Sequence, residues 1–210
     1  MSDFKETAFS AEAFRARAAR EYGDADERRY GDHILNADVI EHLSKKPLRE
    51  AAVLVPLVDH GAQSNILLTQ RTQSMRTHSG QVAFPGGAID PEDGSPEIAA
   101  MREAEEEIGL PRSYVEPVGR LPHYLTVSGF RITPVLAVIR EDYPMTINRH
   151  EVDDAFEVPF SFLMNPTNHI RESRIWEGKE RHFYTMPYGE RYIWGVTAGI
   201  LRTLYERLYA

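Results

Sequence analysis

Between Ser95 and Pro111 the chain carries signals for both ends of a helix around a strongly acidic interior. Ser95 offers a side-chain oxygen to the first free N–H groups, Pro96 suits the first helical position, and Glu97 puts an acid in the first turn. At the far end Gly109 can take the left-handed position, Leu110 supplies the hydrophobic contact after it, and Pro111 stops the helix. Residues 102–110 read Arg-Glu-Ala-Glu-Glu-Glu-Ile-Gly-Leu, four carboxylates in nine residues. Like charges one turn apart cost a helix stability, and a divalent cation would relieve them. With Ile98 at zero on a wheel of about 100° per residue, Met101, Ala104 and Ile108 fall between about 240° and 300°. Glu106, Glu103 and Glu107 fall between about 80° and 180°, on the opposite side, and Glu105 lies near Ile98, away from them. The spacing predicts one core face and one face of three clustered carboxylates.

Hard cations such as Mg²⁺ and Mn²⁺ prefer oxygen ligands, and Mg²⁺ recruits only a few carboxylates beside waters and substrate phosphates. Glu103 and Glu107 could grip such an ion, and Glu106 could help or act on a water. A bare Glu-rich helix is more often a solvated acidic face. The Pro85-Gly86-Gly87 turn, fifteen residues before Arg102, shifts that weighting, because glycine lets a backbone carbonyl approach an ion or phosphate closely.

The stretch from Gly87 to Leu110 resembles the Nudix box of pyrophosphohydrolases, Gly-x5-Glu-x7-Arg-Glu-U-x-Glu-Glu-x-Gly-U with U aliphatic. Arg102, Glu103, Ala104, Glu106, Glu107, Gly109 and Leu110 fill its second half in order. The first half departs from the pattern. One inserted residue in Asp90-Pro91-Glu92-Asp93 restores Gly87 to its place and leaves Glu92 or Asp93 as the early acid. Upstream, Leu67-Leu68-Thr69-Gln70-Arg71-Thr72, then Arg76, Gly80 and Phe84-Pro85-Gly86-Gly87, resemble the signature of the coenzyme A pyrophosphatases, a Nudix subgroup.

The resemblance implies a Nudix-type α/β/α sandwich with a mixed β-sheet, and metal-dependent hydrolysis of coenzyme A to 4′-phosphopantetheine and adenosine 3′,5′-bisphosphate. The cofactor would be Mg²⁺ or Mn²⁺, held by Glu103, Glu107, Glu106 and the Gly87 carbonyl. Glu106 or the downstream loop acid Glu151 would serve as general base, with Arg102 orienting a carboxylate through its planar fork. Arg71, Arg76 and Gly86 would meet the substrate. The arginines could instead pair with local carboxylates, and His78 reads as a loop hydrogen-bonder. Clustered carboxylates raise one another's pKa and a cation favours their charged forms, so activity should rise with pH and depend on the ion. Alternatives are a Nudix hydrolase of ADP-ribose or a dinucleotide, and a non-catalytic nucleotide-binding Nudix domain.

The net charge of −8 argues against a nucleic-acid partner. With no cysteine, disulfides, thiolate metal sites and cysteine nucleophiles are excluded. The longest apolar run, residues 51–58, is far too short to span a bilayer, and Asp3, Glu6 and Glu12 interrupt any signal-like start. A cytoplasmic protein is the simple expectation, with no membrane partner. Residues 1–48 read as a helical extension and 49–210 as the catalytic domain. Helices are expected over 10–21, 36–43, 157–164 and 197–208, and a loop over 22–32. Strands are expected over 52–58, 65–71, 81–84, 115–119, 124–126 and 132–139, and at 181–184 and 192–194 closing the sheet region. Trp194 reads as core, and the extension and C-terminal helix make a homodimer plausible.

Overall fold

A computed structural model describes residues 7–20, 30–39, 47–73, 79–176 and 178–210. Its centre is strand β1 (Arg49–Asp59), where near-continuous apolar sequence reflects burial on both faces. Ala51, Val55 and Leu57 enter one core, while Ala52, Leu54 and Val58 enter another. β7 (Phe130–Arg140) runs parallel to β1 over its whole length, from Arg49 opposite Phe130 to Asp59 opposite Arg140. On the other side of β1, β4 (Gly86–Ala88) pairs with residues 51–53 and β2 (Asn65–Arg71) with residues 57–58, both antiparallel. Pro56, a residue that a central strand rarely tolerates, falls in the gap between these two partners. Its missing N–H therefore removes no ladder bond.

β2 continues antiparallel to β3 (Val82–Ala83) and β8 (Val152–Pro159), while β5 (Val115–Arg120) and β6 (Tyr124–Leu125) pair with β7. Two helical layers cover this mixed sheet. α2 (Pro96–Ile108) packs Ala99, Ala100, Ala104 and Ile108 against Leu54, Leu67 and Val135. On the opposite face, α1 (Ala11–Ala18) and α4 (Gly195–Leu208) bring Phe14, Ile200, Leu201 and Leu204 against Leu57, Ile66 and Leu136. Each such side chain, fully buried, contributes about 1.5–3 kcal/mol. The α/β/α layering expected from the sequence is present.

Three expectations need correction. Residues 157–159 belong to β8, and only Phe160–Leu163 forms a helix, α3. β8 pairs along β2 from Asn65–Pro159 to Arg71–Val152, so tertiary pairing overrides a weak local pattern. The strands at 181–184 and 192–194 do not close the main sheet. They lie in β10 (Lys179–Tyr188) and β11 (Arg191–Trp194), which with β9 (Ile170–Trp176) form a separate antiparallel sheet ordered β11-β10-β9. Met186 and Ile193 anchor it to the core, whereas Trp194 is half-buried against Phe183, ring centroids 5.3 Å apart, and is not a core residue.

In the extension, Ser10 caps α1 by accepting from the Ala13 N–H at 3.2 Å, and the helix ends at Ala18. Asp32 accepts from Tyr124 Oη and the Val127 N–H, both at 2.9 Å. Asn36 clamps the His182 backbone, donating to its carbonyl and accepting from its N–H at 2.9 Å each. The loop expected over 22–32 lies outside the described residues for 22–29, and the helix expected over 36–43 does so for 40–43. Among the described residues no helix is long and apolar enough to cross a membrane.

Candidate active site

The acidic helix meets the Gly-Gly turn because β4 is pinned at the edge of β1. Leu54 N–H donates to the Pro85 carbonyl at 2.8 Å, and Gly86 and Gly87 stand opposite Val53 and Ala52. A Cβ on Gly86 would lie 2.5 Å from the Ala52 carbonyl oxygen and 2.7 Å from Val53 Cα, a backbone clash. A Cβ on Gly87 would lie 2.6 Å from the Glu103 carboxyl carbon. Only glycine leaves that carboxylate its seat against the turn.

The helix is capped as its sequence predicts. The Ile98 N–H donates to Ser95 Oγ at 3.3 Å, and Gly109 sits at φ 66°. Its orientation differs from the wheel drawn around Ile98. Ile98 is 39% exposed, whereas Ala99, Ala100, Ala104 and Ile108 are fully buried and Glu107 is 2% exposed. The face against the sheet is built of alanines, small enough for close helix approach, and the largest apolar side chain misleads. Glu107 therefore lies at the edge of the core, Glu103 is half-buried, and Glu106 reaches solvent with its side chain 57% exposed.

Burial leaves Glu107 in need of positive charge. Arg71, at the end of β2, places Nη1 3.7 Å from its Oε1, and Gly86 offers a backbone N–H. Oε2 has no hydrogen-bond partner, nor does the buried Arg71 Nε. Desolvation, opposed by Arg71 and reinforced by Glu103 and Glu151, pushes the Glu107 carboxyl up to about 8. Glu103 is raised for the same leading reason, against the pull of Arg102.

Arg102 is the hub of the box. It bonds Asp93 in a fork, Nε to Oδ1 at 2.9 Å and Nη2 to Oδ2 at 3.0 Å, and donates to Glu103 Oε1 at 2.9 Å, to Glu106 and to the Ala88 carbonyl. Asp93 is buried and its Oδ2 accepts the Asp90 N–H at 2.8 Å, while Glu92 is exposed. The inserted residue is absorbed in this turn, and Asp93 is the acid that meets Arg102. The guanidinium holds the Asp93 carboxyl below the usual carboxylate range.

Glu151 comes to the site by a loop tied to the end of α2. The Thr146 and Asn148 N–H groups donate to the Ile108 and Glu107 carbonyls at 2.8 and 2.9 Å, satisfying helix-end acceptors. Asn148 Nδ2 then points to Glu151 Oε1 at 3.5 Å, and Glu151 is close enough to raise both Glu103 and Glu107. Sequence reasoning missed Asn148, although its side chain makes a recognisable Asx turn with the His150 N–H at 3.2 Å. It also missed Arg191, which bonds Gln70 and Asp154 from the small sheet and carries no local signal. Arg76 and His78 lie outside the described residues. Glu103, Glu107, Glu151, Arg71, Gly86 and Gly87 are brought together, with Glu106 at the solvent rim.

Oxygen donors only, one buried carboxylate oxygen without a partner and a glycine cradle beside a second carboxylate suit a hard divalent cation. Among the described residues no group of three His, Cys, Asp or Glu side chains is placed to hold a metal ion by itself.

A family model described as NUDIX domain matches residues 47–180. An uncharacterized Nudix hydrolase NudL of Shigella flexneri is 41% identical over 164 residues, covering 77% of this chain and 85% of that protein. The protein of the same name from Escherichia coli K12 is 39% identical over 170 residues, covering 81% and 85%. A solved Nudix hydrolase from M. smegmatis, RenU, aligns at 26% identity with a TM-score of 0.47, over 55% of this chain and 73% of that one. The matched model spans the Gly-Gly turn, the acidic helix and the Glu151 loop alike, and the chain belongs to the Nudix family of hydrolases, which act on phosphorus-containing anhydrides with divalent metal ions.

Proposed function

We propose that this protein hydrolyses the pyrophosphate bond of coenzyme A, releasing 4′-phosphopantetheine and adenosine 3′,5′-bisphosphate. The observation that carries this reading is the position of Arg71. It ends the Leu-Leu-Thr-Gln-Arg strand and makes the local carboxylate pair, its Nη1 3.7 Å from the buried Glu107, while its Nε has no partner and keeps a donor for a phosphate. A multiply anionic substrate needs such a cation within an acidic site, and a planar guanidinium matches phosphate oxygens. Glu103, Glu107 and the Gly87 carbonyl would hold Mg²⁺ or Mn²⁺, which supplies Lewis acidity and counter-charge to the pyrophosphate when bound. Arg102 fixes Glu103 and anchors the helix to the Asp93 turn. Glu151 or Glu106 takes the proton of the attacking water.

Purified protein with Mg²⁺ or Mn²⁺ is expected to release 4′-phosphopantetheine from coenzyme A and to turn over ADP-ribose and NADH poorly. Equal or better turnover of ADP-ribose would replace this substrate with a nucleotide conjugate, and tight binding without turnover would make the domain a nucleotide sensor. Glu103→Gln and Glu107→Gln should each lose on the order of a hundredfold or more in kcat, since disturbing even an outer partner of a metal ligand costs about 10–100-fold. Glu105→Gln should stay near wild type. Near-normal rates in Glu107→Gln would remove it as a ligand.

A further inference from the structure

β9 is the outer strand of the small sheet. β10 pairs with one side of it, and among the described residues no strand pairs with the other. Apart from the half-buried Glu172 every residue of β9 is exposed, with Ile175 81% and Trp176 66% open to solvent. An open edge of this kind is a template for another strand unless something blocks it. β9 has no proline, and its charges are arranged in a way that invites one partner in particular.

Ile170, Glu172, Arg174 and Trp176 lie on one face of the strand, Arg171, Ser173 and Ile175 on the other. If two copies continue one sheet antiparallel about a two-fold axis perpendicular to it, each residue must oppose one from the same face. The axis then passes midway between one residue and its own copy. Centred on Glu172, it sets that carboxylate against its own copy; centred on Arg174, it sets guanidinium against guanidinium. Like charges directly opposite destabilise a strand pair. Centred on Ser173, it places Glu172 against Arg174 twice, Ile170 against Trp176 twice, and the aliphatic stem of Arg171 over Ile175 twice. All three exposed apolar residues, Ile170, Ile175 and Trp176, find cover, and each Glu172, which in its own sheet accepts from Thr185 Oγ1 and Tyr192 Oη, faces an Arg174.

We infer that β9 is a self-association edge, joining two copies of this chain into one continuous six-stranded antiparallel sheet in the Ser173-centred register. Such an isologous contact closes on itself and produces a dimer, not a fibre. It is independent of the substrate.

The chain has no cysteine, so Ser173→Cys introduces a single thiol at the axis, facing its own copy. Wild-type protein should sediment as a dimer in the micromolar range, and Ser173→Cys should convert to a disulfide-linked dimer on mild oxidation. Arg171→Cys, which faces Ile175 across the axis, should remain uncrosslinked. Arg174→Glu should weaken the dimer about tenfold or more by opposing Glu172 at both contacts. The double exchange Glu172→Arg with Arg174→Glu should restore it. A monomer at all micromolar concentrations would overturn the inference. So would a dimer that Arg174→Glu leaves intact and Ser173→Cys fails to crosslink.

Discussion

Folding moves Glu107 from water to a site 2% exposed, with Arg71 3.7 Å from one carboxylate oxygen and no partner for the other. Its carboxyl is consequently raised from 4.5 to about 8. Below pH about 4.5 the group is protonated folded and unfolded, and its burial carries no charge penalty. Between about 4.5 and 8 the unfolded chain loses the proton while the folded one keeps it, so stability falls as pH rises and the full penalty is reached above about 8. In the presence of a chelator, urea unfolding of wild type should lose a few kcal/mol across this window relative to Glu107→Gln. Mg²⁺ should restore most of it, by stabilising the ionised carboxylate. Parallel pH profiles for the two proteins would show that burial does not set the proton affinity of Glu107. The sequence made the three acids of the box legible but not which of them is buried. It also left Glu92 and Asp93 as equal candidates, because only the turn at 90–93 decides which carboxylate faces Arg102.

At the scale of the element, α2 was readable at both ends and misread around its circumference. Ser95 and Gly109 cap through local chemistry that a sequence carries completely. The buried face depends on what the sheet presents, and that is tertiary information. Alanine has no strong hydropathic signature, so Ala99 and Ala100 looked neutral although they form the contact together with Ala104 and Ile108, which the wheel places on the core face. The same limit hid β8 and β9, whose charged residues mask alternation until a partner strand is known. A contrast of two substitutions tests the corrected orientation. Ala100→Leu should destabilise by about 1–3 kcal/mol by overpacking a filled core, whereas Ile98→Ala, at a position 39% exposed, should stay within about 1 kcal/mol. Denaturant midpoints for the two variants give the answer, and the reverse ranking would return the core face to Ile98.

Across the whole molecule, the extension and the sheet meet in one core. Phe14 is fully buried with its ring edge-on to Phe160 at 5.6 Å, in the same cluster as Leu57, Ile66 and Leu204. Asp32 and Asn36 add polar ties to Tyr124, Val127 and His182, residues far along the chain. Composition suggested a break near residue 48, because the change from charged helix to apolar strand is abrupt there. Contacts across that break are invisible to local patterning. Phe14→Ala should therefore cost about 3–5 kcal/mol and shift one cooperative transition for the entire chain. Far-UV circular dichroism reports the helices, while tryptophan fluorescence reports Trp176 and Trp194 in the small sheet, remote in sequence from Phe14. If extension and domain fold as one unit, both signals in Phe14→Ala will move together to lower denaturant. If the extension is an independent appendage, fluorescence will keep its wild-type midpoint while a small helical signal is lost early.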